Sequence, residues 1–143
     1  ESGKDFTLNV EEELSIFGNA PNIERLVNIL LDNAIQYSQA RGRIRLTLKS
    51  HGNRAQLSVF NTGSGLTREE MSKVFRRFYR SDASRSSQTG GYGLGLSIAQ
   101  AIVLQHKGKI SVAGEYGKSI TFSASFRLAE KGAQKTRDEI SRA

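Results

Sequence analysis

Residues Gly90 to Ser97 read GGYGLGLS, four glycines within six residues at the mouth of an apolar helical pattern. Glycine inside a helix costs about 1 kcal/mol relative to alanine, so such a cluster needs a reason. Glycine-rich turns at helix N-termini bind phosphate: backbone N–H groups point outward, the helix dipole favours an anion, and missing side chains allow close approach. The stretch matches neither the G-x-x-x-x-G-K-[ST] nor the G-x-G-x-x-G spacing and does not directly follow a strand, and a lid running into a helix start accounts for it equally well. A second residue with chemistry is Asn33, in LLDNAIQYS, set among apolar Leu30, Ala34 and Ile35 at the edge of a core face. A buried-edge amide needs partners. Its oxygen is a neutral hard ligand, suited to Mg²⁺ held largely by phosphates and water, while an ordinary helix-terminal Asn is the plainer alternative. The third stretch, VFNTGSGL, places Asn61 at a strand end before Gly63 and Gly65. An oxygen fixed there, beside backbone bared by glycine, can read the edge of a flat base; the alternative is a simple turn.

These residues need elements to position them. Phe6, Leu8 and Val10 alternate with polar neighbours, which predicts a half-buried strand, and ELSIFGN predicts a second strand ending at Gly18. NAPN, with Pro21 in the first turn, opens a helix over about 21–39, whose apolar face carries Ile23, Leu26, Val27, Leu30, Leu31, Ala34 and Ile35. Ile44, Leu46 and Leu48, the turn SHGN, then Ala55, Leu57 and Val59 predict a β-hairpin. Thr67 with Glu70 makes a capping box for a short helix bearing Met71, Val74, Phe75 and Phe78. Residues 80–91 carry almost no apolar side chain and predict a mobile loop. Leu94, Ile98, Ala101 and Ile102 mark a further helix ending near Gly108, and two alternating runs around GEYGK close the domain as a hairpin. The order ββ-α-ββ-α-α-ββ, with paired strands rather than βαβ units, predicts an α+β two-layer sandwich: a mixed, mostly antiparallel sheet with helices on one face.

The 143 residues suit one domain able to bury roughly two thirds of its unfolded surface. Without cysteine there is no disulfide and no thiolate metal site. No apolar run reaches the ~20 residues of a membrane span. The formal charge of +7 points toward nucleic acid or a membrane surface, yet the cations are scattered, and a solvated basic face explains most of them. The group Arg76, Arg77, Arg80 and Arg85 differs in bordering the glycine stretch. From about residue 129 the chain turns charged and aperiodic, which predicts a disordered tail over 129–143.

Taken in order, LLDNAIQYS, NTGSGL, VFRRFYR and GGYGLGLSIAQAIV resemble the N box, first glycine box, F box and second glycine box of bacterial sensor histidine kinases. The ATP-binding domain of those kinases belongs to the gyrase–Hsp90–histidine kinase–MutL superfamily and has the Bergerat fold. The resemblance covers roughly residues 5–128 and implies one ATP-binding catalytic domain over 1–128, with a flexible ATP lid at about 79–92. It implies ATP and Mg²⁺ as cofactors. Asn33 matches the Mg²⁺-coordinating asparagine of the N box. Asn61 stands where the family usually has an Asp that accepts a hydrogen bond from the adenine amino group; the amide oxygen retains that capacity. Gly63 and Gly65 match the first glycine box, with Leu66 beside them, and Gly91, Gly93 and Gly95 match the second, with Leu94 and Leu96. Phe75 and Phe78 match the F box at the lid base. Tyr37 matches a phosphate-contacting position. Arg77 lies close to where the triphosphate belongs, and Arg80 resembles a lid-proximal arginine that reaches the γ-phosphate.

The chain departs from the family pattern at several points. Gln36 stands where a basic residue is common, which removes one phosphate contact. Ile29 replaces the Asn, His or Glu found four residues before the N-box asparagine, so a base that activates water is missing and rapid hydrolysis is not expected. His106-Lys107-Gly108 replaces a His-Gly-Gly. His51 falls in a predicted turn and His106 at a helix C-terminus, where a cation meets the dipole favourably, and both are read as structural. The phosphoacceptor histidine therefore belongs to another domain. The implied protein is a histidine kinase that phosphorylates its own dimerisation domain and then a response regulator. It is a membrane-anchored homodimer whose catalytic domain is cytoplasmic, with this fragment alone a monomer and nucleic acid not a partner. Three rivals stand beside it: an anti-sigma-type serine kinase of the same superfamily, a nucleotide-binding but catalytically weak regulatory domain, and a basic non-catalytic binding module.

Overall fold

The computed structural model describes residues 3–77, 79 and 95–129. The lid, apart from Tyr79, and the tail beyond Ala129 lie outside the described residues, and so do Phe78, Arg80, Gly91, Gly93 and Leu94.

Five strands form one sheet: β1 (Asp5–Val10), β2 (Arg43–His51), β3 (Arg54–Thr62), β4 (Lys109–Glu115) and β5 (Ser119–Arg127), in the spatial order β1-β2-β3-β5-β4. Among the described residues three helices accompany it: α1 (Ala20–Tyr37), α2 (Arg68–Lys73) and α3 (Gly95–Gln105). β1 pairs parallel with β2, and the other three pairings are antiparallel. The sheet is thus mixed and mostly antiparallel, with its helices on one face.

Two expectations need correction. ELSIFGN forms no strand; only Ile16 pairs, in an isolated bridge to Leu128. The connection from β1 to β2 is then a βαβ unit through α1, which explains why those two strands run parallel. β1 is also exposed throughout rather than half-buried: Phe6 is 48%, Leu8 72% and Val10 52% exposed. They share a face with Ile44, Leu46 and Leu48 through the β1–β2 register, but α1 packs on β3 and α3 and leaves this edge uncovered.

Local chemistry accounts for the helices. The Asn19 side chain caps α1 by accepting from the Asn22 N–H at 3.1 Å, and Pro21 sits in the first turn. Leu26, Leu30, Ala34 and Tyr37 are its buried stripe. In α2 both arms of the Thr67–Glu70 capping box are made at 3.0 Å, and Phe75 beyond it meets Phe122 edge-to-face. The buried residues of α3 are Leu96, Ala99, Ile102 and Val103, while Ala101 is exposed. The buried stripe is therefore rotated from the one expected, because consecutive apolar residues such as Ala101–Leu104 run round the helix and blur its periodicity. Inward residues of β2, β3 and β5, among them Ile44, Val59, Ile120 and Phe122, complete the core with these helices. Each such side chain contributes about 1.5–3 kcal/mol when fully buried.

His106 joins the far ends of the helical layer. Its Nε2 accepts from the Asn19 N–H at 3.0 Å, and its Nδ1 lies 2.8 Å from the Ile102 carbonyl. The two partners define the neutral tautomer with the proton on Nδ1. Its ring meets Phe126 edge-to-face, and a Cβ on Gly18 would sit 2.6 Å from the His106 Cδ2. His106→Ala is expected to lower stability by about 1–2 kcal/mol, read by thermal melting, with faster amide exchange at Asn19.

Candidate functional site

The C-terminal half of α1 presents Asn33 in a partly buried position. Its Nδ2 donates to the Ile29 carbonyl at 3.0 Å, which fixes the orientation of the amide. The oxygen Oδ1 accepts no hydrogen bond among the described residues. The start of α3 comes up against this spot. A Cβ on Gly95 would lie 3.7 Å from Ile29 Cγ2 and 3.9 Å from Asn33 Nδ2. Gly95, the one described glycine of the second stretch, thus lies against α1 beside Asn33.

The end of β3 carries the second polar residue of interest. Asn61 lies in register with Ile44 on one side and Ile120 on the other, and it is 1% exposed. Its Nδ2 donates to the Thr62 carbonyl at 3.1 Å, whereas its Oδ1 is buried with no hydrogen-bond partner among the described residues. An orphaned buried acceptor costs about 1–3 kcal/mol, and such atoms mark places where a donor from outside is received. The backbone then passes very close to α1: Gly63 bridges Ser38, and a Cβ on it would stand 2.5 Å from the Tyr37 carbonyl oxygen. Gly65 adopts a φ of +74°, where a Cβ would meet the Glu115 carbonyl oxygen at 2.8 Å. Both glycines are required by close approach and not by flexibility alone.

The hairpin between β4 and β5 holds this loop, since the Gly63 N–H donates to the Lys118 carbonyl at 3.0 Å and the Gly117 N–H donates to Ser64. That support was invisible in the turn GEYGK, whose residues carry no distinctive chemistry. The remaining site residues take different places. Tyr37 is buried, and Leu66 and Leu96 pack in the core. Arg77 is exposed beyond α2, and Gln36 is partly buried. Among the described residues no cluster of three or more His, Cys, Asp or Glu could hold a metal. A single amide oxygen fits Mg²⁺ only where phosphates and water supply the other ligands.

The family model for histidine kinase-, DNA gyrase B- and HSP90-like ATPases matches residues 18–130. The chain belongs to this ATPase family. It is 43% identical over 111 residues to the sensor histidine kinase RppB of Synechocystis, a match covering 78% of this chain and 24% of that protein. It is 38% identical over 108 residues to the sensor protein VanS of Enterococcus faecium, covering 76% of this chain and 28% of that one. Among solved structures, the mycobacterial sensor histidine kinase MprB superposes with a TM-score of 0.80 at 27% identity, covering 89% of this chain and 85% of that chain. The chain spans about a quarter of the length of the curated relatives it matches. Along the C-terminal half of α1, Asn33 is approached by Gly95, and Tyr37, one turn further on, by Gly63.

Proposed function

We propose that this ATPase-family domain binds ATP in the pocket between the C-terminal half of α1, the Asn61–Gly65 loop and the start of α3, and supplies its γ-phosphoryl group to a histidine on a separate domain of a longer sensor kinase. The observation that carries the reading is Asn61 Oδ1, a buried acceptor with no partner among the described residues. The adenine amino group is the donor it receives. Gly63 and Gly65 let the backbone lie close beside the ring, and Gly91, Gly93, Leu94 and Gly95 place the chain against the phosphates. Tyr37 contacts them, while Leu66 and Leu96 back the pocket from the core. Arg77 and Arg80 neutralise the transferring group; Phe78, the F-box match, lies outside the described residues. Asn33 holds Mg²⁺ through Oδ1, its Nδ2 being engaged by Ile29. When bound, the ion supplies charge neutralisation between the phosphates.

In the transfer the bond from the γ-phosphorus to the ADP oxygen breaks and a bond to an imidazole nitrogen forms. The domain's part is positioning and charge stabilisation. Ile29 supports transfer over hydrolysis, because an apolar side chain facing Gly95 can activate no water. The acceptor histidine is on the dimerisation domain, the next carrier is an aspartate of a response regulator, and the whole protein is a membrane-anchored homodimer with this domain on the cytoplasmic side.

The test is incubation of the chain with γ-labelled ATP and the phosphoacceptor domain of its own kinase. Acid-labile, alkali-stable label on that domain is the expected result. Acid-stable label on serine would establish the serine-kinase alternative, and ATP binding without transfer would leave a regulatory nucleotide-binding domain.

A further inference from the structure

The face of the sheet turned away from the helices has a charge pattern that ATP binding does not use. Strand alternation sends Ile44, Leu46, Leu57, Val59, Ile120 and Phe122 inward, so their neighbours face out. The outward positions of β2, β3 and β5 include Arg43, Arg45, Lys49, Arg54 and Arg127 and contain no carboxylate, and Lys109 of β4 adds a sixth cation. The outward carboxylates, Asp5 and Glu115, are confined to the edge strands, and Glu115 is paired with Lys118 at 3.4 Å. None of the six cations makes an ion pair within 4 Å among the described residues; Lys49 alone feels a nearby carboxylate, that of Glu11, which is held on Ser50. Between the strands lies a basin of about 470 Å³, lined by His51, Arg54, Gln56, Lys109, Ser111 and Ser123 among others. Arg54 is held over it by its Nε and Nη2 bonds to Ser125 Oγ and O, at 3.1 and 3.0 Å.

We propose that this face docks the domain on an anionic membrane surface, with lipid phosphates taken up by the cations and hydroxyls. Several features select that occupant. A protein interface needs an apolar or aromatic centre, and the outward positions of the three central strands offer Phe60 alone, already covered by the Arg45 guanidinium 5.2 Å from its ring. For nucleic acid, the outward positions of the three central strands offer, among the described residues, no uncovered aromatic on which a base could stack and no helix to enter a groove. What remains is a broad single-sign surface rich in short hydroxyls, the complement of a layer of phosphate headgroups. Because the ATP pocket lies among the helices and the loops that join them, docking leaves the nucleotide site open, and the inference stands whether or not the proposed function does.

The test is co-sedimentation of the chain with vesicles of phosphatidylcholine alone or mixed with phosphatidylglycerol, at low and raised salt, with duplex DNA as a competitor. Salt-sensitive binding to the mixed vesicles only is expected. The triple variant Arg43→Gln, Lys49→Gln, Lys109→Gln should bind them about a hundredfold more weakly, since each surface cation contributes about fivefold. These side chains are exposed, so the variant should melt with the wild type. Neutralising Arg25, Arg68 and Lys73 on the helices should cost much less. No binding to mixed vesicles, equal binding to neutral ones, equal loss in the two triple variants, or a preference for DNA would each overturn the proposal.

Discussion

Asn61→Leu lowers ATP affinity by about ten- to a hundredfold while leaving the folded domain at least as stable as the wild type. The two halves of this expectation come from one atom. Asn61 Oδ1 is buried between apolar neighbours without a partner among the described residues, so the apo fold bears the desolvation of an unused acceptor. Leucine removes that liability together with one bond, from Nδ2 to the Thr62 carbonyl. In the complex the lost partner of an adenine amino group is worth about 1.4–2.7 kcal/mol, within the cost of an unpaired buried group, and this is the stated range in affinity. Calorimetric titration with ATP and thermal melting measure the two effects separately. A purely structural asparagine would lose stability in the melt and show no selective loss of affinity. Asn61→Asp, the residue usual in the family, should bind ATP at least as well as the wild type.

Asn33→Ala should remove the dependence of ATP affinity on Mg²⁺ and with it phosphotransfer. Asn33 is partly buried, its Nδ2 is bonded to Ile29, and its oxygen is the ligand atom the helix can offer there. The wild type is expected to gain tenfold or more in affinity on adding Mg²⁺, about 1.4 kcal/mol, and the variant should show a ratio near one. Stability should fall only slightly, since alanine is the better helix former and the lost bond is local. A variant that retains the Mg²⁺ dependence would move the ion to another ligand.

The fold was legible where periodicity and caps agree. The span of α1, the Thr67–Glu70 box and the two hairpins follow from alternation, capping chemistry and the turn glycines Gly52 and Gly117. The sequence misled where apolar content does not report burial. Phe6, Leu8 and Val10 alternate as a buried strand does, yet they are exposed at a sheet edge that none of the described helices covers. Ile16 and Phe17 resemble a strand but find only one bridge. In α3 apolar side chains occupy most positions, including the run Ala101–Leu104, so the pattern only weakly fixes which side faces in.

The site was legible in its parts, not in its geometry. Asn61 shares the parity of Ala55, Leu57 and Val59, so a polar residue in an inward series was there to be read; the orphaned oxygen needed coordinates. The clasp of the 63–65 loop by the β4–β5 hairpin left no mark, because it is made by backbone atoms. His106 suggested a cation beside a helix dipole, whereas its two backbone partners require the neutral ring.

The most direct measurement is calorimetric titration of the 143-residue chain with ATP, with and without Mg²⁺, and with GTP as the control. The account predicts saturable ATP binding strengthened by Mg²⁺, and little binding of GTP, whose carbonyl would face the Asn61 oxygen where adenine brings an amino group. No heat of binding at millimolar ATP, or equal affinity for GTP, would contradict it.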